Sequence, residues 1–176
     1  MGFWRFAWGL YCMKLAKLLL ILLPPISFFY SCELFSATAT GSFLVSATVL
    51  NTCTVATTPL VFGNYTSAQV DQTNTVTVTC TVGTGYTLGL DAGAASGATV
   101  TTRAMTGGGS GTDTLPYFLY SDAGRTTNWG NSSGTWVSNT ATLTPTIHTV
   151  YGRILASITS ASVGAYTDTI NITVTY

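Results

Sequence analysis

Hydrophobic positions in this chain recur at every second residue, in short runs separated by glycine, serine, asparagine and proline. The last run, residues 166–176, shows the pattern most plainly. There Ile170, Ile172, Val174 and Tyr176 alternate with Thr169, Asn171, Thr173 and Thr175. A period of two in β-branched and aromatic residues predicts a strand with one buried face. The same period puts Phe43, Val45, Ala47 and Val49 on one side of residues 42–50, and Val76, Val78, Cys80 and Val82 on one side of residues 75–82. Further strands are predicted over 59–62, 85–90, 98–105, 115–121, 135–143 and 148–158, and no ten-residue window carries helical spacing. About eight short strands with turn residues between them predict an all-β, immunoglobulin-like antiparallel sandwich in one domain. The final strand ends the sequence. It is either tucked into its own sheet or leaves one edge for another chain to complete.

The first forty residues change the picture. Lys14 and Lys17 precede an apolar stretch, residues 18–30, that is interrupted by Pro24 and Pro25, and Ala37-Thr38-Ala39 fits a small-x-small cleavage site. Residues 1–39 are therefore expected to be a secretory signal, with Met13 a more ordinary start than Met1. The apolar run is too short and proline-rich to span a bilayer. Lipidation at Cys32 is the competing reading, disfavoured by the bulky Phe29 and Tyr30 just before it.

Cleavage after Ala39 leaves 137 residues with Arg103, Arg125 and Arg153 against Asp71, Asp91, Asp113, Asp122 and Asp168, three cations to five anions and a net charge of −2. No basic patch is visible, which argues against nucleic acid or an anionic membrane as partner. A surface of hydroxyls rather than ions suits a protein that packs into an assembly, because few charges need desolvating. Cys53 and Cys80 are the cysteines left after cleavage. In a secreted chain they are expected to form a disulfide, worth roughly 3–3.5 kcal/mol in the chain-entropy model.

Candidate chemistry is sparse. Gly130-Asn-Ser132-Ser-Gly134 matches the G-x-S-x-G pattern of a nucleophile elbow but lies in a polar loop with no helix signal after it. His148 is the single histidine, so any imidazole base must be this one; at the start of an apolar strand it reads better as a structural residue. The aspartates fall near turn signals, where they cap backbone groups, and show no spacing for acid–base work or calcium. Trp129, Trp136, Tyr117 and Tyr120 could build a sugar-binding platform. No enzyme activity, metal or small-molecule cofactor is expected.

Several segments in order bring a family into view. They are Asn51-Thr-Cys53-Thr-Val55, Leu60-Val-Phe62-Gly63, Val76-Thr-Val-Thr-Cys80, Arg103-Ala-Met105, Leu115-Pro-Tyr117-Phe-Leu-Tyr120-Ser-Asp122, Trp129-Gly130, Val150-Tyr151-Gly152-Arg153 and Gly164-Ala-Tyr166-Thr-Asp168-Thr169. From about Ser42 to the last residue the chain resembles the spore coat protein U domain family, which includes subunits of archaic chaperone–usher pili and secreted coat proteins. The resemblance implies an incomplete sandwich, residues 51–176, whose missing strand comes from a periplasmic chaperone in transit and from the next subunit in the fibre. It further implies an outer-membrane usher and neighbouring pilin subunits as partners, and a place on the cell surface as a fimbrium. Residues 40–50 would be the donor strand, with Phe43, Val45, Ala47 and Val49 entering the neighbour's groove. Ile170, Ile172, Val174 and Tyr176 would border the groove and contact the chaperone, and Cys53 and Cys80 fall at the family's disulfide positions. A coat protein of the same fold that forms no fibre, and a carbohydrate-binding sandwich, are the alternatives.

Overall fold

The computed structural model describes residues 36–176; the signal segment, the choice of start at Met13 and the lipidation of Cys32 lie outside the described residues. The chain divides into a unit ending at Val45 and a compact unit, Ser46–Tyr176. Residues 36–52 carry no strand, and Phe43, Leu44, Val45, Val49 and Leu50 are all largely exposed.

Ten strands follow: β1 (Cys53–Thr57), β2 (Val70–Cys80), β3 (Gly85–Leu90), β4 (Ala104–Gly107), β5 (Asp113–Pro116), β6 (Phe118–Tyr120), β7 (Val137–Thr140), β8 (Thr146–Ile154), β9 (Tyr166–Thr167) and β10 (Ile172–Thr175). They form three antiparallel sheets, in the orders β1-β2-β8-β6, β10-β3-β7 and β5-β4-β9. Among the described residues there is no helix. One core joins the sheets: Val76 and Val78 of β2 and Val150 and Ile154 of β8 pack with Leu88 and Leu90 of β3, around the fully buried Trp129. The period of two that places these side chains inward is the one visible in the sequence.

Several elements differ from expectation, each for a contact reason. β2 begins at Val70, well before the alternation does, because its polar half is hydrogen-bonded along β8 and Asp71 forms a salt bridge with Arg153 (2.7 Å). The predicted strand over 98–105 is mostly turn: Thr99 and Thr102 bond each other's backbone and hydroxyls, leaving Ala104–Gly107 as β4. The run 115–121 is two strands in two sheets, with Tyr117 between them donating its N–H to Arg103 O (3.0 Å). Residues 59–62 form no strand; Leu60 and Phe62 instead lie against the backbone of Gly152. β1 was not expected as a strand. It buries little and is held by pairing with β2 and by the Cys53–Cys80 disulfide between directly opposed residues.

His148 ties the two layers at one end of the core. Its Nε2 lies 2.8 Å from the Tyr86 hydroxyl, and its ring meets those of Tyr86 and Trp129 edge-on. Partial burial lowers its pKa from the ordinary 6.5. The unfolded chain therefore takes up this proton at a higher pH than the folded one. Stability from the neutral ring is complete above 6.5 and falls as pH drops through the folded value. The melting temperature is expected to decline from pH 6.5 towards 5, where ordinary aspartates remain ionised, and His148→Gln should flatten that slope; an unchanged slope would refute the assignment. For the disulfide, whose cysteines are 27 residues apart, replacing both with alanine should lower the unfolding free energy by roughly 3.5 kcal/mol. Urea denaturation of both forms checks this, and a loss under about 1 kcal/mol would mean that strand pairing alone holds β1.

Candidate functional site

The last strand has a partner on one side. β10 pairs with β3, from Ile172 opposite Leu90 to Thr175 opposite Thr87, and among the described residues no strand pairs with its other edge. Beside that edge lies a groove of about 1330 Å³. Its floor is apolar and comes from all three sheets: Val76, Val150 and Ile154 from the first, Leu90 and Ile172 from the second, and Leu115 from the third. One rim is the stretch 57–67 after β1, and the other is 161–170. The first rim is fixed by Asn74, whose amide donates to Thr58 O (2.6 Å), and by Tyr65, whose hydroxyl donates to Leu155 O and accepts from Ile158 N–H (2.9 Å each).

The inward residues of the terminal run are half-buried rather than buried. Ile170, Ile172 and Val174 all pack against the core from one side, while the threonines and Asn171 between them are exposed. Ile170 and Ile172 line the groove; Val174 does not, and Tyr176 is 57% exposed. The strand itself is shorter than the alternation suggests, because side chains take over the bonding before Ile172. Asp91 accepts from the backbone N–H (3.0 Å) and the side-chain amide (2.6 Å) of Asn171, while Asp168 accepts from Ala94 N–H (2.7 Å) and the Tyr117 hydroxyl (2.5 Å).

Beneath this clamp sits Arg103, 1% exposed. Its guanidinium donates to four carbonyls: Nε to Asp91 (2.7 Å), Nη1 to Val100 (2.8 Å), and Nη2 to Leu90 (3.0 Å) and Trp129 (2.7 Å). Burial lowers its pKa, opposed by the nearby Tyr117, Asp91 and Asp168, and burial with the adjacent Asp168 carboxylate raises that of Tyr117. Sequence reading gave Arg103 no role. The available signal was an arginine inside an apolar strand of a chain with few charges.

The other candidates are dispersed. Ser132 lies in a turn, its hydroxyl 3.1 Å from that of Thr135, with no helix after it, and His148 is engaged with Tyr86. The alternative aromatic platform is not assembled from these four: Trp129 and Tyr117 are buried at 1% and 3% exposure, Trp129 donating its indole N–H to Leu88 O (2.9 Å). Burial in the core wins because each large ring covers more apolar area there than at the surface. Phe43, Val45, Ala47 and Val49 lie in the unpaired, exposed stretch, and the exposure of Leu44 matches that of Phe43, so exposure does not select a face.

Comparison with known proteins gives three findings. The profile of the Spore Coat Protein U domain matches residues 39–173. Protein U of Myxococcus xanthus is 33% identical over 157 residues, covering 80% of this chain and 87% of that protein. The fold is similar to that in the crystal structure of the CsuC–CsuE chaperone–tip adhesion subunit pre-assembly complex from archaic chaperone-usher Csu pili of Acinetobacter baumannii. That similarity has a TM-score of 0.54 at 23% identity and covers 73% of this chain but 41% of the other.

The buried guanidinium provides a test of the clamp that precedes β10. Arg103→Leu removes the donor to two buried and two part-buried carbonyls and should cost about 3–5 kcal/mol of stability. Chemical denaturation followed by tryptophan fluorescence would read this; a cost below about 1 kcal/mol would show that the carbonyls find other partners.

Proposed function

The chain belongs to the Spore Coat Protein U domain family, and from that premise we propose that it is a structural subunit of a secreted surface fibre of the archaic chaperone–usher kind, polymerising by donor-strand exchange. The observation that carries the reading is the large groove lined by Ile170 and Ile172 of the terminal run, next to β10, whose outer edge has no strand partner among the described residues. At about 1330 Å³ it exceeds the ~300–1,000 Å³ typical of small-molecule sites. An extended peptide fits it better: an added strand would bond its main chain along β10 and drop alternate side chains onto the floor.

Residues 40–50 are the proposed donor. Phe43, Val45, Ala47 and Val49 enter the groove of a neighbouring subunit, and Ile170, Ile172, Val174 and Tyr176 form the edge that receives them. Burying the three larger side chains contributes ~4–9 kcal/mol before ordering costs. Before assembly a periplasmic chaperone covers the same edge, and an outer-membrane usher passes the subunit to the cell surface. Fibre assembly requires no catalysis by this chain, and we assign it none. A second reading, a secreted coat protein of the same fold, is favoured by the likeness to Protein U and uses the same groove for side-by-side packing.

The test compares the mature chain with and without residues 40–50, sized by light scattering after periplasmic expression. The full form should polymerise or be recovered with a chaperone. The truncated form should not assemble, and should bind a synthetic 40–50 peptide that Val45→Asp weakens at least tenfold. A full-length chain that is a stable monomer by itself would overturn donor-strand exchange.

A further inference from the structure

The strand alternation that sends Leu119, Val150 and Ile154 into the groove sends their neighbours to the opposite face of the same sheet. There Phe118 of β6 stands opposite Arg153 of β8, and Tyr120 opposite Tyr151. The Phe118 and Tyr120 rings lie nearly parallel, 23° apart with centroids at 6.2 Å. Arg125 reaches the patch from the β6–β7 connection, with its guanidinium carbon 5.6 Å from the centre of the Tyr151 ring. Asp71 completes it, taking two bonds from Arg153 (2.7 and 2.8 Å) and lying 3.5 Å from Arg125 Nε.

Two features make this more than a solvated face. Among the described residues the cations are Arg103, Arg125 and Arg153; Arg103 is buried, and the other two converge here, Arg153 with 23% of its side chain exposed and Arg125 with 13%, the latter also donating to the carbonyls of Gly152 (3.3 Å) and Ala123 (3.4 Å). Two guanidiniums share one carboxylate, so the patch is one positive charge in excess on a domain of net negative charge. Half-exposed aromatic faces beside unbalanced guanidiniums match a flat ring that carries a carboxylate. A second copy of this chain fits poorly, because its other aspartates are engaged: Asp113 by Ser162, Asp122 by the backbone of Thr126 and Thr127, Asp91 by Asn171 and Asp168 by Ala94 N–H and Tyr117. A nucleic acid needs a row of cations that the surface does not have.

We propose that this face is a binding site for acidic glycans, with a hexuronate ring resting on Phe118 and Tyr120 and its carboxylate taken by Arg153 and Arg125. The site lies away from the groove and stays open whether or not a donor strand is bound, so it does not depend on the fibre reading. The test measures binding of a galacturonate hexamer to the mature chain by calorimetry, against its methyl ester and inorganic polyphosphate. The hexamer should bind at least tenfold more tightly than the ester and than polyphosphate. Arg153→Gln and Tyr120→Ala should each weaken it at least fivefold with the fold intact by circular dichroism, and removal of residues 40–50 should leave it unchanged. No binding of the hexamer, equal binding of the ester, or equal binding of polyphosphate would each overturn the proposal. So would well-folded variants that bind as the parent does.

Discussion

An antiparallel sandwich is stable when every inward side chain is covered by the facing layer and every strand has its backbone groups paired. β10 meets neither condition on one side. Its inward residues are covered from the β3 side and stop at half-burial, and among the described residues the main chain of its outer edge has no strand partner. The cost has two parts: apolar surface left in water, at about 25 cal/mol per Å², and an edge open to any extended chain. Much else in the domain can be understood as managing that edge. The rim at 57–67 is bonded back to β2 and to the turn after β8, so its position is set by the domain's own hydrogen bonds.

The polar groups around the groove belong to the same problem. A strand paired on one side cannot define its own path, and here side chains define it. Asp91 holds Asn171, Asp168 accepts from Ala94 N–H and the Tyr117 hydroxyl, and Arg103 collects the carbonyls of Leu90, Asp91, Val100 and Trp129. These carbonyls come from strand ends and turns, where regular pairing has run out. In a chain so poor in charge, two of the five aspartates outside the signal segment and the buried Arg103 sit at this junction. The side-chain amide of Asn171 is likewise committed to this clamp through Asp91.

What the sequence made legible was what the period of two controls. Val76, Val78, Leu88, Leu90 and Val150 alternate and are core; Cys53 and Cys80 are the cysteines outside the signal segment and are bonded. What stayed hidden depends on partners distant in sequence. The first half of β2 is polar and is a strand because β8 lies beside it. The stretch 115–121 looks like one strand by its apolar residues; Pro116, with no N–H to give a ladder, is the one local sign that the chain changes sheets at Tyr117. Of the groove, the edge residues Ile170 and Ile172 were readable. The rim and the Arg103 clamp were not, because they consist of contacts between turns.

β8 shows how one strand serves both faces. Val150, Gly152 and Ile154 point inward, and Tyr151 and Arg153 point outward between them. Gly152 is the position that permits this. An added Cβ there would meet Leu60 at 2.6 Å and Phe62 at 2.9 Å, so the rim residues can lie directly on the strand backbone. A larger residue would lift that rim away from the sheet and change the depth of the groove, although the strand would still pair. The same residue stands opposite Leu119 in the β6–β8 register, between the Phe118–Arg153 and Tyr120–Tyr151 pairs of the outer face. A displacement at Gly152 would therefore be felt on both sides of the sheet, and this missing side chain couples the shape of the groove to the spacing of the aromatic and arginine pairs behind it.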